Sequence, residues 1–241
     1  MVYQKHQSIL KTFDKIENLF QIFDGAGYKT MGRSQRPEVF RFLDFEPYIT
    51  PLCPYTRRQH LGALEDFTDS LKSAGEEPQF CFLHIWYTHS GYGMEGIQPA
   101  PNLEELVKLG KVEDALRFYY ASVTHALEYM LVEVLKALSL DQWEVFIFGD
   151  HGDGFCEEGT YHGDNLHQNV AHVPLLVNIP RMEQPVFPVN GLVSMIDLFP
   201  TILSLVGLDT NYRGYGRNLL GDPEEFQDRW VLSELDNLYD V

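Results

Sequence analysis

The stretch FIFGDHGDGF, residues 146–155, is a short apolar run that stops abruptly on Asp150 and His151, with glycines on both sides. Extended upstream as WEVFIF, the run is rich in β-branched and aromatic residues and predicts a buried strand over 144–149. Such a strand would end on two groups that bind metals and protons. Before it, Leu116, Tyr120, Val123, Leu127, Met130, Val134 and Leu138 recur at threes and fours, which predicts one amphipathic helix over 113–138. After it, VPLLVNI from Val173 predicts another strand. Further out, QFCFLHIWY (79–87) reads as a buried strand preceded by a helix marked by Leu61, Leu64, Phe67 and Leu71. Phe13, Ile16, Leu19, Phe20 and Phe23 mark an earlier helix that Gly25 stops. Residues 31–58, with four prolines, read as an extended surface excursion. Strands alternating with helices predict an α/β fold whose mainly parallel sheet is sandwiched by helices, with ligands at the carboxyl ends of the strands.

A chain of 241 residues with 44% hydrophobic and 13% aromatic residues is expected to bury a full core as a single domain over 1–241. The formal charge of -17, from 18 basic and 35 acidic residues, argues against nucleic acid and anionic membranes as partners. No apolar run approaches the roughly 18 residues of a membrane span, and MVYQKHQSIL lacks the layout of a signal peptide. Cys53, Cys81 and Cys156 are too few and too scattered for a disulfide framework. A soluble chain in a reducing, cytoplasmic setting is the expectation.

Asp150 and His151 sit where their strand should open onto the ligand-binding edge, and Gly149 and Gly152 would let the backbone turn tightly there. A carboxylate followed by an imidazole suits Mn, Zn or Mg, and a more oxygen-rich shell would hold Ca. The plainer alternative is that Asp150 caps the next turn and His151 is a satisfied, half-buried side chain. His162 stands before Gly163 in a glycine-punctuated loop, where an imidazole serves as proton donor or anion contact. His167 and His172, five apart, do not share a helix face and are expected to be structural. His89 follows directly after the strand 79–87, whereas His84 lies inside it and reads as a satisfied core residue.

Several blocks, taken in order, resemble the sulfatase branch of the alkaline phosphatase superfamily. TFDKIENLFQIFDGAGYKTMG looks like the family's helix and Gly-Tyr-x-Thr turn, and PQFCFLHIWYTHSGYG resembles the strand that delivers a histidine to the anion site, with Gly91 where a proline is usual. DQWEVFIFGDHGDGF resembles the Asp-His-Gly metal block, and YHGDNLHQNVAHVPLLV its His-Gly-x-x-Leu sequel. VSMIDLFPTILSLVGLD and GYGRNLL resemble the downstream blocks. The resemblance implies that Asp150 and His151 ligate a divalent metal ion (Ca, Mn, Mg or Zn). It also implies that His162 contacts or protonates the transferred group and that His89 binds its non-bridging oxygens. Asp153 would act only beside the metal, and the substrate would be a small sulfate, phosphate or phosphonate ester.

The family's acidic first strand and its nucleophile block are expected upstream of the Gly-Tyr-x-Thr turn, and the 26 residues before Gly27 contain neither. The expectation is therefore a fold truncated at the N-terminus, incomplete without a nucleophile segment, and inclined to self-associate or to take up that segment as a partner. About residues 210–241 would begin an abbreviated C-terminal subdomain. CPYTRR (53–58) offers Cys53, Thr56 and Arg57 but follows the turn instead of preceding it, and reads as an ordinary loop. Two alternatives stand beside the hydrolase: a non-catalytic module of the same fold that binds an anion or metal, and a phosphomutase or phosphotransferase relative.

Overall fold

A computed structural model of the chain describes residues 17–40, 47–51, 57–73, 75, 77–89, 103–155, 161–162, 165–182, 191–208, 212 and 214–233. They form two compact units, one from residues up to Ser139 together with Phe155, the other from Leu140–Gly154 and the described residues 161–233.

In the first unit, Asn18 opens helix α1 (Leu19–Gly25) with a capping box: its Oδ1 accepts from Gln21 N at 3.0 Å while Gln21 Oε1 accepts from Asn18 N at 2.9 Å. The helix is closed at Gly27, whose φ of 84° only glycine adopts cheaply. Gly27 N donates to Asp24 O, Tyr28 N donates to Phe23 O, and the Tyr28 ring packs edge-on against Phe23. The helix thus ends at Gly25, as expected, and the left-handed residue that closes it is Gly27, two residues on. The expected start of this helix, at Phe13 and Ile16, lies outside the described residues.

Strand β1 (Lys29–Ser34) follows, then β2 (Ile49–Pro51), α2 (Arg57–Lys72) and β3 (Gln79–His84). β1 lies between β2 and β3 and runs parallel to both, with Gly32 opposite Ile49 on one side and Phe82 on the other. Residues 31–34, expected in a surface excursion, are instead the centre of this sheet, and Ser34 is fully buried. KTMGRS carries no apolar alternation, so its place is set by its neighbours. A Cβ on Gly32 would stand 2.8 Å from Ile49 Cγ1 and 3.0 Å from Phe20 Cζ. By the two-residue period of a strand, Thr30, Gly32, Phe80 and Phe82 share the face that α1 covers. Phe20 and Phe23 meet Phe80 and Phe82 there, at centroid distances of 4.4 to 6.1 Å.

Cys81 pairs with Met31 on the other face, between Lys29 and Arg33 in register. Burial pushes its thiol up to about 12, against the opposing pull of Arg33 and Lys29. Because the thiolate is the reactive form, Cys81 in the folded chain is expected to alkylate at pH 8 about 1,000-fold more slowly than an unperturbed thiol. Peptide mapping by mass spectrometry after iodoacetamide separates it from Cys53 and Cys156, which lie outside the described residues. Labelling at the unperturbed rate would contradict this environment.

Helices α3 (Leu103–Lys108) and α4 (Val112–His125) come next, and α4 runs through a π-helical turn (Ala126–Leu131) into α5 (Val132–Ala137). The stripe of Leu64, Phe67 and Leu71 on α2 is buried, as its spacing predicts, and α2 packs along α5. The long helix expected over 113–138 is present and buries Met130 and Val134 as its spacing predicts, but ahead of them Ala115, Ser122 and Ala126 are the buried positions, while Tyr120 and Leu127 are exposed. Two causes shift the stripe. The π turn adds a residue to the helical ladder and so rotates the next turns about the helix axis. Ahead of it, small residues allow a close approach, and Ser122 Oγ donates to Tyr87 O at 3.0 Å.

The second unit contains β4 (Val145–Phe148), α6 (Gln168–Ala171), β7 (Leu175–Asn178) and α7 (Leu198–Leu205); between β4 and α6, β5 (Gly154–Phe155) and β6 (Tyr161–His162) form a short ladder. β4 and β7 pair antiparallel, with Val145 opposite Asn178 and Phe148 opposite Leu175. The parallel sheet is thus β1–β3, and the strand leading to Asp150 belongs to an antiparallel pair. Both strands of the pair are less buried than their composition predicts, with Phe148 of β4 41% and Leu176 of β7 58% exposed. Phe146 and Leu175 pack instead against a core of Leu198, Leu219 and Phe226.

That core is pinned by Asp197, which is fully buried. Its carboxylate accepts from Ser194 N, from Arg217 N and from both Nη atoms of Arg229 at 2.7 to 2.8 Å. Its carbonyl accepts from Thr201 Oγ1, which in turn accepts from Leu219 N. The bonds to Asp197 raise the Arg229 pKa further above its ordinary value, so the pair is charge-assisted.

Candidate functional site

The carboxyl ends of β1 and β3 are laced together by polar groups. Ser34 Oγ lies 2.7 Å from His84 Nδ1 and accepts from Arg36 N at 3.0 Å. Gln35 N donates to His84 O, and Gln35 Oε1 accepts from Trp86 N at 2.6 Å. His84 is therefore a satisfied residue of the strand. Beyond it, His89 N donates to Trp86 O, and the His89 ring stacks on Trp86 with centroids 3.7 Å apart and planes 19° apart. The Arg36 guanidinium carbon lies 5.5 Å from the Trp86 ring centroid.

A guanidinium and an imidazole on one indole, at the carboxyl edge of parallel strands, are suited to the oxygens of an anion. His89 is readable from its place after a strand, whereas Arg36 and Trp86 carry no comparable mark. The cationic signal is present in GRSQR, but a polar segment without alternation reads as an excursion.

In the second unit, Asp150 and His151 leave β4 with side chains 74% and 38% exposed. Asp150 Oδ1 accepts from His151 N at 3.0 Å, the local capping bond of the plainer alternative. Its other oxygen, Oδ2, lies 3.9 Å from His151 Nε2. His151 Nδ1 is 2.7 Å from Gly152 O, and since a carbonyl only accepts, Nδ1 carries the proton there. That arrangement turns Nε2 toward the carboxylate, as in metal-binding histidines whose other nitrogen donates to a carbonyl. A span of 3.9 Å is one that a single ion with bonds of about 2.3–2.6 Å can bridge. Among the described residues no group of three or more His, Cys, Asp or Glu side chains gathers, so the pair supplies two donors.

The loop is held against α6: Gly152 N donates to Val170 O at 2.8 Å, and Asn169 Nδ2 donates to the carbonyl of the buried Asp153. Neither Gly149 nor Gly152 has a positive φ. The glycine at 152 is required by close approach instead, since a Cβ would sit 2.0 Å from Asn169 O. His162 lies in β6, in the ladder with β5, and its side chain is outside the described residues. His167 precedes α6, its N donating to Asn165 Oδ1, and His172 follows it; neither is drawn into the Asp150 loop by these bonds.

An α/β chain that places His89 beyond a parallel strand, and Asp150 with His151 at the end of a further strand, has the build of the alkaline phosphatase superfamily. A family model described as Sulfatase matches residues 3–208, and the chain belongs to the sulfatase family. It is 30% identical over 111 residues to arylsulfatase K of Xenopus laevis, covering 44% of this chain and 20% of that protein. Arylsulfatase K of Homo sapiens is 30% identical over 138 residues, 52% of this chain and 25% of that protein. The Danio rerio protein of the same name is 33% identical over 102 residues, 41% and 19% respectively. The matches thus span a quarter or less of these relatives. Members of the family generally use a divalent metal ion.

Proposed function

We propose that this chain carries the metal and oxyanion site of a sulfatase-like hydrolase of small sulfate, phosphate or phosphonate esters. The observation that carries this reading is the Asp150 Oδ2 and His151 Nε2 pair, 3.9 Å apart and oriented by the Gly152 carbonyl, at a strand end. Asp150 and His151 would hold the ion, which when bound supplies positive charge to the non-bridging oxygens of the ester. Within the first unit, His89 and Arg36, both over the Trp86 indole, would suit the oxygens of an anion. His162 would protonate the ester oxygen that leaves as a water molecule attacks sulfur or phosphorus. An exposed carboxylate favours a hard ion such as Ca or Mg, and the imidazole extends the choice to Mn and Zn.

Turnover of aryl sulfate, aryl phosphate and phosphonate ester analogues with Ca, Mg, Mn or Zn, with and without Asp150→Ala, tests the reading. With water in place of a side-chain nucleophile, the expected result is a slow metal-dependent rate that falls in the variant to the metal-free background. A metal-dependent rate indifferent to Asp150→Ala would overturn it. The two donors found among the described residues favour one second reading, a binding module without turnover. It predicts that calorimetry detects metal binding, lost in Asp150→Ala, while no ester is hydrolysed.

A further inference from the structure

The turn that carries Trp86 and His89 is held from behind by helix α4, at the point where that helix becomes π-helical. Ser122, fully buried, donates its hydroxyl to Tyr87 O at 3.0 Å. One helical turn on, the ring of His125 stacks against the buried Tyr87 with centroids 4.7 Å apart and planes 21° apart. His125 in turn meets Tyr129, inside the π segment, at 4.7 Å and 32°. Tyr87 therefore has its carbonyl tied by one α4 side chain and its ring clamped by another. Trp86 directly precedes Tyr87, and two residues after it His89 is bound back by its N to Trp86 O, with its imidazole stacked on the indole.

Regular α-helical spacing would have brought Leu116, Tyr120, Val123 and Leu127 inward. The observed helix instead presents Ser122 and Ala126 as buried positions and brings His125 onto Tyr87. π-helical turns persist where their irregular register serves a site.

We infer that Ser122 and His125 are positioning residues for this turn: by fixing both the carbonyl and the ring of Tyr87, they hold His89 stacked on Trp86 at the strand edge. What the held imidazole is for rests on the proposed hydrolase reading; that α4 holds it does not. A stack at 3.7 Å places the His89 ring protons in the shielding region of the indole, so their NMR shifts report the geometry directly.

The test uses the full chain with isotopically labelled histidine, the His89 signals being assigned by their disappearance in His89→Gln. His125→Ala is expected to abolish the upfield displacement of the His89 ring signals, and His125→Phe, which keeps a flat ring on Tyr87, to restore it. Ser122→Ala, a small change suited to the case in which His125→Ala does not fold, is expected to diminish the same displacement. Unmoved His89 signals in Ser122→Ala and His125→Ala would overturn the inference, as would a His125→Phe chain that behaves like His125→Ala. Activity gives a separate reading. If the displacement is lost while His89→Ala leaves ester turnover intact, the positioning stands and the assignment of His89 to the reaction falls.

Discussion

Asp197→Ala is expected to lower stability by about 3–5 kcal/mol, because it leaves the guanidinium of Arg229 buried without its partner. The Arg229 and Asp197 side chains are 6% and 0% exposed, so solvent cannot replace the lost bonds. The damage extends beyond the ion pair. Asp197 also satisfies Ser194 N and Arg217 N, and through Thr201 it is linked to Leu219 N. It thereby ties the start of α7, the GYGRNLL segment and the chain at Arg229 around the Leu198, Leu219 and Phe226 core. The expected signature is a lower urea midpoint at an unchanged slope, with loss of hydrogen-exchange protection at the Arg217 and Leu219 amides. Arg229→Met in the same background should recover part of the loss, since removing both charges is milder than stranding one. A midpoint and amide protection equal to those of the parent chain would refute the pin.

The second large effect is expected at Gly152. The atom that a Cβ would strike, at 2.0 Å, is the backbone oxygen of Asn169, which cannot swing aside as a side-chain tip can. Gly152→Ala must lift the loop from α6 and break the bond from Gly152 N to Val170 O. Overpacking of this kind costs about 1–3 kcal/mol, and a lost buried hydrogen bond adds about 1 kcal/mol. Asp150 and His151 precede this contact directly, so on the proposed metal-binding reading the variant should also lose any rise in melting temperature that a divalent ion gives the parent chain. Gly149→Ala is the control. Its added Cβ would meet neighbours only at 3.5 Å, ordinary contact, and it should behave as the parent does. Equal melting temperatures for the two variants would show that the close approach at Gly152 is not limiting.

Much of the placement of the candidate residues could be read from local pattern. A strand ending on Asp150 and His151, a second with His89 just past its end, and the buried stripe of Leu64, Phe67 and Leu71 all follow from residue type and spacing along a few turns of chain. The ordered blocks from Thr12 to Leu220 are enough for the family, whose model matches residues 3–208.

The features that local pattern missed depend on partners far along the chain. KTMGRS is polar and looks like a loop, yet it becomes the central strand because β2 and β3 supply its hydrogen bonds and Phe20 covers its glycine. The antiparallel pairing of β4 with β7 leaves no trace in either strand's composition, since strand direction is set by what pairs across the sheet. The long helix buries Ala115 and Ser122 in place of Leu116 and Tyr120 because closeness to the Tyr87 carbonyl and a π turn outweigh apolar periodicity. Arg36 meets Trp86 because β1 and β3 end side by side. Periodicity specifies which residues can be buried; hydrogen-bond satisfaction and close approach between distant segments decide which are, and bring Arg36 and His89 onto the Trp86 ring.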